Sequence, residues 1–146
     1  MTLKNVWRRL QEHGGLIATL GIEGALEDGV VVGRMPIDRG HTGAPGIAHG
    51  GSLMALLDTT LGGVALMHAL QRQRATSTVE MKVNFLRPVP EGETVVARAS
   101  LQSAGKSLMV ITGTAELESS GEPVAFAVGT FNLFSLEKMQ TFDDPA

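Results

Sequence analysis

Residues 50–70 read GGSLMALLDTTLGGVALMHAL, and the rest of the architecture follows from this segment. Almost every position is apolar or glycine, and a helix that is hydrophobic on all sides is enclosed by other elements. The polar exceptions are Ser52, Asp58, Thr59, Thr60 and His68. The length approaches a membrane span, but a carboxylate near the middle, at Asp58, is costly in lipid. The segment therefore predicts a core helix of a soluble domain and no membrane partner.

Four strand-like runs come after the helix, over residues 79–85, 95–101, 109–118 and 124–134. Apolar and polar residues alternate along the runs, which predicts that each strand turns one apolar face toward the helix. In the first run the apolar set is Val79, Met81, Val83 and Phe85. Short turns between consecutive strands imply antiparallel pairing. One buried helix against an antiparallel sheet is an α+β architecture.

The segments before the core helix have their own patterns. Over residues 1–15 apolar side chains recur at helical spacing between Thr2, a candidate N-cap, and Gly14, so we expect an N-terminal helix. Asp28-Gly29 between two apolar runs predicts a β-hairpin within residues 21–37. Residues 38–48, rich in glycine, predict an irregular loop.

The chain has 146 residues and shows no linker or repeat, so we expect one domain over residues 1–146 that ends in a polar tail at residues 137–146. The formal net charge is −3, and this lack of a basic excess argues against nucleic-acid binding. There is no cysteine, which excludes disulfides and thiolate zinc sites and is compatible with the reducing cytoplasm. Residues 1–15 carry no apolar core of a secretory signal, so we expect a cytoplasmic protein.

Asp58 is the most unusual residue of the core helix, because aspartate is rarely buried without a partner. One interpretation is structural, with the carboxylate capping or pairing with an arginine from a neighbouring strand. The other is functional, with the carboxylate acting as a general base or nucleophile in an apolar cleft. The helix pattern leaves both open.

The start of the core helix, from His49 to Ser52, is a second candidate. Helix N-termini carry unpaired N–H groups and a partial positive charge, so the Gly50 N–H could polarise a carbonyl. The alternative is a flexible entry turn at Gly50-Gly51 that Ser52 caps. Gly50 and Asp58 are eight residues apart, or about 12 Å along one helix. They can act on one carbonyl only if they come from different chains, which predicts a symmetric dimer with the site between subunits.

No metal site is expected. Asp38, His41 and His49 are close in sequence, but their spacing matches no standard metal-binding motif.

Residues 41–51, HTGAPGIAHGG, followed by Leu56-Leu57-Asp58-Thr59, resemble the signature of hotdog-fold acyl-CoA thioesterases of the phenylacetate-degradation (PaaI-like) branch. Residues 78–80, 85–88 and 105–107 also resemble that family, and the likeness covers residues 21–134. It implies the hotdog fold, an antiparallel sheet wrapped around one long central helix, here with an additional N-terminal helix. It also implies homodimers that join two sheets, and tetramers.

The resemblance implies hydrolysis of an acyl-CoA thioester to a free acid and CoA. Asp58 would act as general base or nucleophile, and the Gly50 N–H of the other subunit would polarise the thioester carbonyl. Thr78 would help to place the water or the carboxylate, and His49 would shape the pocket. Coenzyme A enters as part of the substrate, and no further cofactor is implied.

Substrate contacts are implied at Gly51 and Gly43, and cations for the coenzyme phosphates are implied at three positions. These are Arg74, Arg87 and Lys106. Gly43 is a departure, because many relatives have Asn there. The difference implies weaker activity, a different substrate, or replacement of the Asn by Thr42 or His41.

Two alternatives to hydrolysis follow from the same residues. Gly43 would suit a non-catalytic module that binds acyl-CoA or acts as a regulator. His49 beside Asp58 would suit an acyl-thioester hydratase or dehydratase, although the His-Gly-Gly context argues against it.

Overall fold

The computed structural model describes residues 2–138. Its helices are α1 (Leu3–His13), the short α2 (Leu16–Thr19) and α3 (Gly50–Gln71). Its strands are β1 (Glu23–Glu27), β2 (Val30–Pro36), β3 (Thr42–Ala44), β4 (Ile47–Ala48), β5 (Arg74–Phe85), β6 (Thr94–Ala104), β7 (Leu108–Leu117) and β8 (Pro123–Ser135). Two 3-10 turns lie at Arg39–His41 and Leu136–Lys138.

Six strands form one antiparallel sheet in the order β1-β2-β6-β7-β8-β5, and five of them contact α3. The sheet wraps around α3, and four leucines of α3 fill the core and are fully or almost fully buried. These are Leu53, Leu56, Leu57 and Leu61. α3 is long and apolar enough to cross a membrane by length and composition, but here it is the central helix of the sheet. The predicted α+β fold is confirmed.

The N-terminal helix is confirmed as α1. Thr2 caps it by accepting a hydrogen bond from the Asn5 N–H, and Gly14 ends it with a left-handed φ of 75°. The buried indole of Trp7 lies directly on the Cα of Gly24 in β1, where a Cβ would be 2.1 Å from the ring. A Cβ at Gly63 of α3 would be 3.2 Å from the same ring. The two glycines therefore let α1 pack closely on both β1 and α3.

The predicted hairpin is present, since β1 and β2 pair and are joined by Asp28 and Gly29 with φ values of 50° and 81°. The prediction of an irregular loop over residues 38–48 is wrong. After the turn at Arg39–His41, β3 and β4 form a small two-stranded sheet. The Ala48 N–H donates to the Val89 carbonyl at 2.9 Å, which ties this small sheet to the chain after β5.

The first residues of the expected polar tail, 137 and 138, belong to the 3-10 turn Leu136–Lys138. Its remaining residues, 139–146, lie outside the described residues.

β5 contains a β-bulge that the alternation pattern did not predict. Its pairing with β8 runs from Thr78↔Phe131 to Glu80↔Thr130, so Val79 is an extra residue without a partner. The prediction placed Val79 on the helix-facing side, but its side chain is 55% exposed. Because one inserted residue reverses the alternation, both Thr78 and Met81 can face α3.

Candidate active site

The site begins with Asp58, which lies on the side of α3 that faces β5. Its side chain is half-buried, and the Thr78 hydroxyl donates a 2.7 Å hydrogen bond to its Oδ1 atom. Within residues 2–138 no ion pair reaches the Asp58 carboxylate. The interpretation in which Asp58 pairs with an arginine therefore does not hold. The carboxylate is held by the Thr78 hydroxyl instead.

The bulge at Val79 gives Thr78 its direction. Phe131 is buried in the core against α3, where its ring lies 3.9 Å from a Cβ built at Gly62. Thr78 pairs with Phe131 across the β5–β8 ladder and therefore shares its face. Without the extra residue, the alternation that places Met81 toward the helix would turn Thr78 outward.

The N-terminus of α3 is capped by His49. Its Nδ1 atom accepts the Gly51 N–H at 2.8 Å, with extended backbone at φ −67° and ψ 138°. The alternative in which Ser52 caps the helix is wrong, because the Ser52 hydroxyl donates to the His41 carbonyl at 3.0 Å. The Gly51 N–H is occupied by this cap, so the substrate contact expected at Gly51 does not have that donor available.

The Gly50 N–H differs from its neighbours. The Ser52 N–H is bound to the His49 carbonyl at 3.0 Å, whereas no acceptor for the Gly50 N–H is found in the part of the chain that the structure describes. Gly50 is half-buried beside the ring of Phe85. It stands at the first position of a 22-residue helix, where the partial positive charge of the helix dipole is concentrated. An unpaired N–H there can stabilise a developing oxyanion.

Gly43 and His49 lie in direct contact. A Cβ added at Gly43 would be 2.6 Å from the His49 Cδ2 atom, so a side chain there would displace the ring. Thr42 does not take the place of a missing Asn, because its hydroxyl donates to the Arg39 carbonyl at 2.8 Å. His41 does not either, since its ring is buried and bound to other residues of the protomer.

The three predicted phosphate ligands lie at two ends of the sheet. Arg87 follows β5, where it donates to the Pro123 carbonyl at 2.7 Å and pairs with Glu122 at 3.0 Å. Arg74 lies at the opposite end of β5, a strand about 35 Å long by strand geometry, and donates to the Leu133 carbonyl at 2.8 Å. Lys106 is exposed in the β6–β7 turn, on the same side as Arg74. One protomer cannot place all three cations on one phosphate group.

The loop beneath the α3 N-terminus carries the one shifted carboxyl group near the site. The Gly40 N–H donates to Asp38 at 2.8 Å, and together with the His41 ring it holds the pKa of Asp38 below its ordinary value. Over residues 2–138 no three His, Asp or Glu side chains are grouped as they would be to bind a metal.

Similarity to known proteins falls on the same part of the chain. Residues 45–124 match the family described as the thioesterase superfamily. Human acyl-coenzyme A thioesterase 13 is 28% identical over 97 residues, which are 66% of this chain and 68% of that protein. The structure of a thioesterase family protein from Silicibacter pomeroyi is 33% identical, with a TM-score of 0.77 and coverage of 92% and 99%. The E. coli PaaI protein from the phenylacetic acid degradation operon has the same fold, with a TM-score of 0.77, 22% identity and coverage of 89% and 91%.

Proposed function

Because this chain belongs to the thioesterase superfamily, we propose that it hydrolyses acyl-CoA thioesters at a site shared between two copies. The matched region includes both Asp58 and Gly50, the two candidate groups of the site. Acyl-CoA as the substrate class is supported by the human relative, an acyl-coenzyme A thioesterase.

The observation that carries the proposal is the half-buried Asp58 carboxylate, which accepts from the Thr78 hydroxyl and has no ion pair within residues 2–138. A carboxylate neutralised by a cation would be a weak base, whereas one oriented by a hydroxyl keeps a free oxygen for reaction. Oδ1 accepts from Thr78, so Oδ2 is the oxygen that faces the reaction.

The chemistry follows from these groups. Either Oδ2 of Asp58 removes a proton from a water molecule that attacks the thioester carbon, or Oδ2 attacks that carbon itself. In both routes the carbonyl oxygen becomes negative and is stabilised by the N–H of Gly50 from the partner subunit. Collapse of the tetrahedral species breaks the C–S bond, and in the first route the sulfur leaves as the CoA thiol with the proton that Asp58 took from water. In the second route collapse leaves an anhydride between the acyl group and Asp58, and water hydrolyses it to the free acid and the carboxylate while a proton of that water goes to the sulfur.

The shared site is supported by the exposed edge of the sheet. β5 is a 12-residue edge strand, and long unprotected edges favour pairing with another strand. Apolar side chains at this edge are about half exposed in the protomer. They are Val79, Phe85 and Leu86. A second copy that pairs along β5 would bury them, and tetramers would be built from two such dimers.

We propose that the protein recognises both the coenzyme part and the acyl part of the substrate. Arg74 and Lys106 lie on one side of the sheet and are the cations we assign to the coenzyme phosphates. Arg87 is already paired with Glu122 and is the weakest of the three candidates. Apolar residues of α3 would line the acyl pocket. The lack of cysteine is compatible with the reducing cytoplasm that we propose as the location.

The test is an assay of thiol release from a panel of aryl- and alkyl-acyl-CoAs. The chain has no cysteine, so a thiol reagent reports only the released CoA. Asp58→Asn and Asp58→Ala are expected to lower kcat by about 10²- to 10⁴-fold. Glu80→Gln is the matched control, because Glu80 lies on the outer face of β5 and accepts from Thr130.

Wild-type turnover in both Asp58 variants would contradict the assigned role. Binding of acyl-CoA to the unaltered protein without any thiol release would instead favour the non-catalytic module.

A further inference from the structure

We propose that His41 is a positioning residue for the reaction, which fixes the direction of the Gly50 N–H without touching the substrate. This inference rests on the proposed function, because it concerns the oxyanion donor of that site. His41 belongs to the turn that precedes β3 and is 5% exposed. It is one of two buried polar or charged residues among residues 2–138, and the reaction as described does not use it.

The imidazole ring is held on both sides. Nε2 lies 2.7 Å from the Leu20 carbonyl, and because a carbonyl only accepts, Nε2 carries a hydrogen. Nδ1 lies within hydrogen-bond distance of Asp38 on the other side, 3.1 Å from its backbone N and 2.9 Å from its carboxylate. The ring therefore joins the end of α2 to the loop that leads into the site.

The backbone carbonyl of His41 connects the anchored ring to the start of α3. This carbonyl accepts two hydrogen bonds, from the His49 N–H at 2.7 Å and from the Ser52 hydroxyl at 3.0 Å. These two donors lie on either side of Gly50-Gly51. His49 in turn accepts the Gly51 N–H at 2.8 Å. The bonds on both sides of Gly50 fix its peptide plane and leave its own N–H unpaired.

The direction of that N–H matters because an oxyanion donor must lie about 3 Å from the reacting oxygen. A displacement of about 1 Å in such a site lowers the rate by about 100-fold. Loss of the His41 ring would leave the part-buried Leu20 carbonyl and the Asp38 N–H without partners, and the loop would rearrange to satisfy them. The His41 carbonyl would move with the loop, and the Gly50 N–H with it.

The experiment compares His41→Leu with His41→Gln by steady-state kinetics. His41→Leu removes both ring hydrogen bonds, and we expect kcat to fall about 10- to 100-fold with KM within about twofold. His41→Gln keeps an amide donor for Leu20, and we expect it to recover most of the loss. Ser52→Ala removes one donor to the His41 carbonyl and should lower kcat by a smaller factor, which keeps the test usable if His41→Leu does not fold.

Ile111→Val is the matched control for stability, because Ile111 is fully buried in β7, outside the site. It should lower the melting temperature without changing kcat. Hydrogen exchange of the His49 and Gly51 amides, both of which are hydrogen-bonded, provides a readout independent of turnover, and it should be faster in His41→Leu than in Ile111→Val.

If the unaltered protein releases no thiol, the proposed function fails while the amide exchange still tests the role of His41. An unchanged kcat and unchanged exchange of the His49 and Gly51 amides in a folded His41→Leu protein would overturn the inference. A kcat loss that merely follows the melting temperature, as in the Ile111→Val control, would overturn it as well.

Discussion

Thr78 donates a 2.7 Å hydrogen bond to Asp58 across the space between β5 and α3. The two residues come from different elements, and the bulge at Val79 is what turns the hydroxyl toward the helix. The bond occupies Oδ1, and within residues 2–138 no hydrogen bond to Oδ2 is found. Thr78 therefore sets the orientation of the carboxylate and leaves one oxygen free to react.

We expect Thr78→Val to lower kcat by about 10- to 100-fold, because a hydrogen bond to a charged group contributes about 1.5–3 kcal/mol. Thr78→Ser keeps the hydroxyl and should retain most of the activity. Thr130→Val is a matched control, since Thr130 donates to the Glu80 carboxylate on the outer face of the same strand pair. Thiol-release kinetics of the three variants would contradict the role of Thr78 if Thr78→Val and Thr130→Val behaved alike.

Gly50→Pro tests the oxyanion donor with little disturbance to the helix. Proline is well tolerated at the first helical position, and His49 before it already has the extended backbone that proline requires. The substitution removes the one N–H that the site is proposed to use. We expect kcat to fall by about 10²- to 10³-fold, with the melting temperature little changed.

Gly50→Ala is the control for this experiment, because it adds a Cβ and keeps the N–H. That Cβ would be 3.1 Å from Cζ of Phe85, the outer end of a half-exposed side chain that can shift. Gly50→Ala should therefore remain much more active than Gly50→Pro. Equal losses in the two variants would show that the added bulk, and not the missing N–H, affects the rate.

The core helix and the candidate pair could be predicted because both depend on residue type and spacing. The apolar segment over residues 50–70 predicts a buried helix, and the eight residues between Gly50 and Asp58 fix their distance along the helix axis. The bulge at Val79 could not be predicted, because Val79 continues the apolar alternation of Met81 and Val83 in the sequence, whereas the inserted residue reverses the alternation in the structure. The bulge becomes visible only in the structure, where the apolar side chain of Val79 is exposed.

The prediction for the loop before α3 is wrong for a different reason. Serine is a common helix cap, so Ser52 was a reasonable candidate, whereas the cap is the ring of His49. The roles of His41 and Gly43 depend on tertiary contacts, with Leu20 for the one and with the His49 ring for the other. Spacing along the chain carries no signal for such contacts.

The Asp38 carboxyl should make this loop sensitive to acid. Its pKa is lowered by the Gly40 N–H and the His41 ring, so its contribution to stability is present above its ordinary pKa of 3.8 and is lost as the pH falls below that value. Asp38→Asn keeps an oxygen for the Gly40 N–H but cannot ionise. We expect its melting temperature to fall less than that of the unaltered protein between pH 5 and pH 2, about the range of a carboxyl titration.

Asp28→Asn is the matched control for the loss of one negative charge, because Asp28 lies in the exposed β1–β2 turn. If it changed the acid dependence as much as Asp38→Asn did, the contacts of Asp38 would not be the cause.

The exposed edge of β5 should be the contact between copies. Val79→Lys places a charge in that edge, and because an unpaired buried charge costs about 3–5 kcal/mol, we expect the dimer Kd to rise by about 10²-fold or more. Leu26→Lys makes the same change on the exposed side chain of β1, at the other edge of the sheet. Light scattering across a concentration series should give a raised dimer Kd for Val79→Lys and not for Leu26→Lys. Equal Kd values for the two variants would mean that the contact does not lie at the edge of β5.

A mixture of two inactive variants tests whether the site is shared. In a heterodimer of Asp58→Asn and Gly50→Pro chains, one site combines both substitutions and the other combines the intact Asp58 with the intact Gly50 of the partner subunit. Random reassortment gives heterodimers in half of the pairs, so activity should return to about a quarter of the unaltered level. Mixing Asp58→Asn with Asp58→Ala is the control, because no pairing of these chains restores a site. If heterodimers form, as two different affinity tags would show, and remain inactive, the shared site is wrong.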